Sequence, residues 1–551
     1  MTKFTLGILV VGMVCCTFNS KIYGQESTKN NQTETSNKYY NWFNLDKKEN
    51  KILGISTDRA YEKLLKGKKL TTVVVAVIDG GVDINHEDLQ GKIWVNKGEI
   101  PGNNIDDDHN GYVDDVYGWN FIGGKDGKNI NEETLELTRL YKKYSDQFKN
   151  VDTSKLTGND LQQYHKYQKI KEKFLEKADE ANKNLQSLQP FLLSYHFADS
   201  IIKSIVNKDV YTLDDIKKID TQNDKRLIAI KKFMSSLYKK GFTKDDLNGY
   251  VDQLKKDVDY NYNINFDPRS IVGDDPNNWS TGYGNNDVKG EHPDHGTMVS
   301  SIIAANRHNN IGMKGIADSV KIMSIRTVPD GDERDKDVAN AIRYAVDNGA
   351  QIINGSFGKP YSPQKRFVDE ALLYAQSKGV LIVHAAGNDA EDTDTIPSYP
   401  SDYDANGNKL INDWINVGAS TMKANKELPA TFSNYGKQTV DLFAPGYRIY
   451  TAKPDNKYGT NDGTSFASPM VAGVAALIKS VYPSLTAAQL KEIILKSAVK
   501  YPNLKVYLPS ENESKKPKKV AFKNLSATGG VLNVYDALKL AETYVPKSDK
   551  N

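Results

Sequence analysis

At 551 residues the chain is long enough for two or three domains with a sizeable core. Its 73 Lys and Arg nearly balance 70 Asp and Glu, and the formal charge of +3 gives no nucleic-acid signal. The two cysteines, Cys15 and Cys16, sit side by side near the start, which excludes a disulfide framework for the rest of the chain.

The first elements concern export. Lys3, an apolar run from Phe4 to Phe18 and a polar stretch to Gly24 read as a secretory signal peptide over residues 1–24. The run is too short for a membrane span. Cleavage near Gly24-Gln25 would leave a mature chain with no thiol. In the alternative, a lipoprotein, Cys15 or Cys16 carries the lipid, but Met13 and Val14 are bulky where small residues are usual; a membrane partner is expected only in that case. Residues 25–38 are rich in Ser, Thr, Asn and Gln and are expected to be disordered. Tyr39 to Leu70 is aromatic, then charged, and completes an N-terminal segment (25–70) packed on the domain that follows.

Val73–Ile78 is a β-branched run that ends on a carboxylate, Asp79. Next comes Asp106-Asp107-Asp108-His109-Asn110-Gly111-Tyr112-Val113-Asp114. Oxygen donors Asp106, Asp108, Asn110 and Asp114, with a carbonyl from Tyr112, resemble the first nine positions of an EF-hand loop, although no Glu follows at the twelfth. Hard oxygen ligands suit Ca²⁺, and so many carboxylates would repel one another without a cation. The alternative is an acidic, solvated Asn-Gly turn.

Residues 125–285 are helical by pattern. Leu161, Tyr164, Tyr167, Ile170, Phe174, Ala178, Ala181, Leu185 and Leu188 step by three or four and mark one helix face. Thr212-Leu213-Asp214-Asp215 and Thr243-Lys244-Asp245-Asp246 look like helix starts. The insertion is either a solvent-facing decoration with one packed stripe or a cap that restricts access to a site.

Asp294-His295-Gly296-Thr297 opens a helix of small residues, Met298 to Ala305. Apolar runs at Lys321–Arg326, Gln351–Gly355, Val380–Ala385 and Trp414–Ala419 alternate with helical segments Asp335–Asn348 and Pro363–Ser377. That alternation predicts an α/β fold, a doubly wound and mostly parallel sheet, here with an inserted α-helical subdomain. Asp79 and Asn388 both fall at strand ends, where active sites of such sheets gather. In Asp462-Gly463-Thr464-Ser465-Phe466-Ala467-Ser468-Pro469, a serine is set at the start of a second small-residue helix, where backbone N–H groups favour developing negative charge. A serine alone is a weak nucleophile; it needs a base and a group that orients the base. Helices at Thr486–Ser497 and Val534–Thr543 close the domain, with a tail at 546–551.

Taken together, the Asp79, His295 and Ser465 motifs stand in the chain order of subtilisin, and the sequence over about 50–124 and 286–545 resembles the subtilisin-like serine proteases, or subtilases. The resemblance implies a peptidase domain of 71–124 and 286–545. It implies an exported, monomeric endopeptidase that acts on protein or peptide substrates. In it Asp79, His295 and Ser465 form the catalytic triad and Asn388 is an oxyanion donor. Ser356, Phe357 and Gly358, with Ala385, Ala386 and Gly387, would bind the substrate backbone and wall the specificity pocket. Many relatives have Leu at the place of Phe357, and a second His at the place of Met298. Asp88 matches a subtilase calcium ligand, with Asn309 in the partner loop, so Ca²⁺ is the expected cofactor. The rival readings are a non-catalytic binding or scaffold protein on this fold, and a calcium-dependent adhesin.

Overall fold

The computed structural model describes residues 40–239, 242, 244–510 and 517–545. The signal and lipidation readings at 1–24, the polar stretch 25–38, Thr243 and the tail 546–551 lie outside the described residues. The chain divides into two compact units, one of Leu137–Phe266 and one made of the segments that end at Glu136 and resume at Asp267.

The larger unit is built on a nine-stranded sheet. Its strands are β1 (Val73–Asp79), β2 (Gly118–Asn120), β3 (Val320–Arg326), β4 (Ile352–Gly355), β5 (Leu381–Ala385), β6 (Trp414–Ser420), β7 (Leu442–Pro445), β10 (Val499–Lys500) and β13 (Gly530–Val531). Two hairpins lie apart from it, β8 (Ile449–Lys453) with β9 (Lys457–Asn461), and β11 (Lys505–Tyr507) with β12 (Lys519–Ala521). The sheet order is β10-β13-β7-β6-β5-β4-β1-β3-β2, parallel throughout except for the β10–β13 pair. All five apolar runs of the sequence are strands. The shorter β2, β7, β10 and β13 carried too few residues to show a period.

Helices cover both faces, as a parallel sheet requires. Val73, Val75 and Val77 of β1 join the cluster built on α6 (Asp294–Ala304) and α9 (Thr464–Val481), while Ala76 and Ile78 point into the cluster under α7 (Asp335–Asp347) and α8 (Lys365–Ser377). Helix α9 is long and apolar enough to cross a membrane, yet 83% of it is buried as the core helix of this unit. Helices α10 (Ala487–Ser497) and α11 (Val534–Ala541) complete that layer. Thr486 caps α10 in a reciprocal box with Gln489. Trp42, Phe43 and Ile55 of the N-terminal segment are fully buried in the same cluster.

β1 lies between β3 on one side and β4 on the other, so the order of the sheet reverses at its carboxyl end. Crevices form at such reversal points. Asp79 is the last residue of β1.

The smaller unit is helical: the rest of α1 (Glu136–Phe148), then α2 (Gly158–Val206), α3 (Leu213–Lys218), α4 (Lys225–Lys239) and α5 (Lys244–Lys256). Helix α2 runs for 49 residues, contains the whole predicted stripe and continues through Pro190. Its second half builds a core of Leu188, Phe191, Tyr195 and Ile202 with Ile216, Met234, Leu237 and Leu247. Thr212 caps α3 in a box with Asp215.

The helical unit is shorter than the expected 125–285. The stretches 125–136 and 267–285 belong to the sheet unit because buried charges tie them there. Arg269, 2% exposed, reaches Glu133 at 3.4 Å, Asp274 at 3.2 Å and Asp337 of α7 at 2.6 Å. Arg334 adds a contact to Glu133 at 2.9 Å, and Lys336 pairs with Asp274. Removing one partner of such a set would strand a buried charge, at a cost of roughly 3–5 kcal/mol.

Candidate active site

Three elements converge at the reversal point. The first is the end of β1. Gly80 donates to Asp79 Oδ1 at 2.8 Å, and both Asp79 oxygens lie 2.9 Å from His295 Nδ1. Asp79 is 3% exposed. The second element is the start of α6, which brings His295 against the loop after β1. Gly296 makes this approach possible: a Cβ there would stand 2.1 Å from the Gly81 carbonyl oxygen. Gly81 in turn has φ +131° and no room for a side chain beside Lys289. Burial works against a charged imidazole, but the charge and hydrogen bond of Asp79, with Asp294 nearby, outweigh it and raise the His295 pKa above the ordinary value. An imidazole tied through Nδ1 has its tautomer fixed, with Nε2 as the basic nitrogen.

The third element is the start of α9. Gly463 precedes the helix and Ser465 is its second residue. The N–H of Ser465 belongs to the first turn, where no intrahelical acceptor exists. Four residues on, Pro469 has no N–H to offer the Ser465 carbonyl, which would be its helical partner. Ser356 takes that place, donating from Oγ to the Ser465 carbonyl at 2.9 Å. Ser465 Oγ returns a bond to the Ser356 carbonyl at 3.3 Å. Among the described hydrogen bonds none joins Ser465 to His295; the reciprocal pair with Ser356 is the one formed. Ser356 is held by Asn354 Nδ2 at 3.0 Å, and Asn354 Oδ1 accepts from Ser468 of α9 at 2.8 Å.

Asn388 follows β5. Its Oδ1 accepts from the Thr464 N–H at 2.8 Å and the Thr464 hydroxyl at 2.9 Å, which leaves the amide's donor end directed away from Thr464. Gly387 donates to that same hydroxyl at 3.1 Å. Asn434, which sequence reasoning missed, holds this turn: it donates to the Ala386 carbonyl at 3.0 Å and accepts from Asp389 and Glu391 N–H at 3.0 and 2.9 Å. Ser356, Ala385 and Ala386 are buried, Phe357 and Gly387 partly exposed and Gly358 exposed. A cavity of about 330 Å³ is lined by Asp79, His295 and Ser356–Gly358. Met298 is a core residue, accepting from Asn461 Nδ2 at its sulfur.

The acidic loop only partly follows the spacing. Carboxylates of Asp106 and Asp108 come together with Glu99, which the motif did not include. Asp114 turns elsewhere: it accepts from the Gly102 and Asn104 amides at 2.8 and 2.6 Å. Asn110 donates to Asp108 and Asp115, and its Oδ1 accepts from Tyr112 N–H. The Tyr112 ring is buried, edge-on to Trp119, Phe121 and Tyr344. Asn96 Nδ2 donates to Asp108 and Asp115, and Glu99 accepts from the Asp108 N–H at 3.2 Å, contacts that the spacing within the motif does not encode. Asp88 and Asn309 do meet: Asn309 Nδ2 donates to Asp88 Oδ1 at 2.7 Å, and Met313 N–H to Oδ2 at 3.0 Å. Asp88 is fully buried, and burial raises its pKa. A hard cation beside it would reverse that shift. A further three-donor group, Glu132, His292 and Asp330, was not anticipated.

Comparison with known proteins identifies the family. The family model described as Peptidase_S8, Subtilase family, matches residues 71–528. Subtilisin DY of Bacillus licheniformis is 36% identical over 206 residues, 37% of this chain and 70% of that protein. Thermitase of Thermoactinomyces vulgaris is 37% identical over 187 residues, 34% of this chain and 61% of that protein. A chain from the structure titled "Structural basis of subtilase cytotoxin SubAB assembly" is 29% identical with a TM-score of 0.39, over 47% of this chain and 80% of that one.

Proposed function

The chain belongs to the subtilase family and is a subtilisin-like serine protease, and on that premise we propose that it is an exported endopeptidase working through Asp79, His295 and Ser465. The observation that carries the reading is the Asp79–His295 pair at 2.9 Å on the sheet edge where Ser465 opens α9. Ser465 rotates from the Ser356 carbonyl to His295 when substrate arrives; catalytic hydrogen bonds commonly tighten only in the complex. His295 takes the hydroxyl proton as Oγ attacks the peptide carbonyl, and Asp79 stabilises the imidazolium. The Ser465 N–H and the Asn388 amide bind the oxyanion. His295 then protonates the leaving amine, and the same imidazole activates water to release the acyl-enzyme.

Extended peptides pair with the backbone of Ser356–Gly358 by strand addition. Calcium would stabilise the fold: Asp106 and Asp108, now with Glu99, would supply one oxygen site, and Asp88 a second, which Asn309 would join only after its amide turns its oxygen, now accepting from Ile311 N–H, towards the ion. Asn110, Tyr112 and Asp114 would join the first site only after a rearrangement of the loop. The enzyme acts as a monomer outside the inner membrane.

Fluorophosphonate labelling with mass spectrometry tests the reading. The expected result is an adduct on Ser465 that is absent in His295→Ala. A folded, calcium-loaded protein that takes no label and cleaves no peptide would leave the scaffold reading in its place.

A further inference from the structure

Three donors that the mechanism leaves unused meet beside the triad. They are Glu132, His292 and Asp330, and their ligating atoms all lie within 4.8 Å of one another. They come from segments far apart in the chain: Glu132 ahead of α1, His292 just before α6, and Asp330 in the loop after β3. His292 and Asp330 line the same cavity of about 330 Å³ as Asp79 and His295.

The backbone fixes this meeting. Glu132 and Asp330 are partners in a parallel β-bridge. The Asp330 N–H donates to the Asn131 carbonyl at 2.7 Å, and the Glu133 N–H to the Asp330 carbonyl at 2.9 Å. Gly331 allows the close approach, since a Cβ there would stand 2.2 Å from the Glu133 carbonyl oxygen. The Asn131 side chain reaches the third segment, donating to Glu291, the neighbour of His292, at 2.8 Å. Arg326 holds Asn131 in turn, donating to its Oδ1 at 3.0 Å. Among the described residues, the Glu132 carboxylate and the His292 imidazole make no hydrogen bond or ion pair of their own.

Two carboxylates set opposite each other repel. Arg326 feels the charge of Asp330, but its guanidinium is directed to the Gly80 and Ile130 carbonyls, Asn120 and Asn131. An ion held between Glu132 and Asp330 would remove the repulsion. The donor set decides which ion. Ca²⁺ takes about six to eight oxygen ligands. Zn²⁺ takes imidazole and carboxylate together, in a tetrahedron of about 2.0–2.2 Å radius whose corners stand about 3.4 Å apart. Small side-chain rotations bring the three donors to that spacing, and a fourth corner is left for water.

We propose that Glu132, His292 and Asp330 form a Zn²⁺ site, and that the bound, hydrated ion takes cavity space the peptide needs and so inhibits the enzyme reversibly. The inhibition rests on the endopeptidase reading above; the binding does not.

The test uses the mature chain saturated with Ca²⁺. Zn²⁺ alone is titrated calorimetrically into the wild type, His292→Ala, Asp330→Asn and His295→Ala. His295→Ala should bind within about twofold of the wild type. His292→Ala should bind at least about tenfold more weakly, because even partners behind a ligand are worth that much. Asp330→Asn should weaken binding likewise, and it decides the matter if His292→Ala melts early. In peptide cleavage, each protein is scored against its own metal-free rate. Zn²⁺ should inhibit the wild type, a chelator that prefers Zn²⁺ to Ca²⁺ should restore it, and His292→Ala should need at least about tenfold more Zn²⁺ for half inhibition. Absence of Zn²⁺ binding, or its displacement by Ca²⁺, overturns the proposal. Binding that survives in His292→Ala and vanishes in His295→Ala overturns it too, since the ion then sits on the triad imidazole. Binding through His292 with cleavage untouched overturns the inhibition alone. A metal-free wild type that binds Zn²⁺ at His292 yet cleaves no peptide sinks the endopeptidase reading and leaves the site standing.

Discussion

The sheet unit and the helical unit solve the same problem with opposite means. The sheet unit buries two apolar faces and then, between them and at its edge, charged and polar groups such as Asp79, Asp88, Glu133 and Arg269, each held by named partners. The helical unit relies on one apolar core around α2, with a small buried polar contact from Tyr211 to Asp199 at 2.7 Å. It leaves Leu193 71% and Phe197 53% exposed on the same helix. The helical unit buries Asp199 in a pair with Lys203 at 3.0 Å, whereas the larger core of the sheet unit holds a whole set of charges in low dielectric, where they act most strongly.

The comparison breaks most sharply at Ser465. Ser465→Ala should lower kcat by about 10⁶-fold, the scale measured for subtilisin, and adding His295→Ala should cost little more, because the pair acts as one device. Steady-state kinetics on a fluorogenic peptide checks both, and additive losses would dismiss the triad. Asn388→Ala should lower kcat by roughly 10²–10³-fold, the range measured for such a donor in subtilisin, with KM nearly unchanged. On the helical side, Ile202→Ala or Ile216→Ala should destabilise by about 2–5 kcal/mol, as fully buried residues do. Scanning calorimetry should place that loss in a transition separate from that of the sheet unit. One merged transition would show that the two units are not cooperative on their own. EDTA should act the other way, lowering only the sheet-unit transition by several degrees, since Asp88, Asn309 and Glu99 all lie there.

The smallest effect concerns pH. His295 must be neutral to accept the Ser465 proton, and Asp79 raises its pKa above 6.5. Activity should therefore rise with pH through a midpoint above 6.5, read from kcat/KM. Asp79→Asn should move that midpoint down as well as slow the reaction.

Much of the sheet was legible because β1, β3, β4, β5 and β6 are apolar runs of four to seven residues bounded by polar turns. Asp79, His295 and Ser465 were legible because each closes a strand or opens a helix, where local sequence signals are strongest, and Asn388 because it stands in the turn just after β5. The rest depended on contacts between distant segments. Glu99 joins Asp106 and Asp108 only through the fold of its loop, and Asp114 is drawn away by two backbone amides. Arg269 and Glu133 lie 136 residues apart, so nothing local announces the pair that shortens the insertion.

The knot of Arg269, Glu133, Asp274 and Asp337 has a consequence for how this chain can change over generations. It fastens the stretches on either side of the insertion to the sheet unit, a few residues outside the helical segment. Such a junction is a socket. Cassettes of other lengths can be exchanged between its two pins while Asp79, His295, Ser465 and Asn388 keep their mutual geometry.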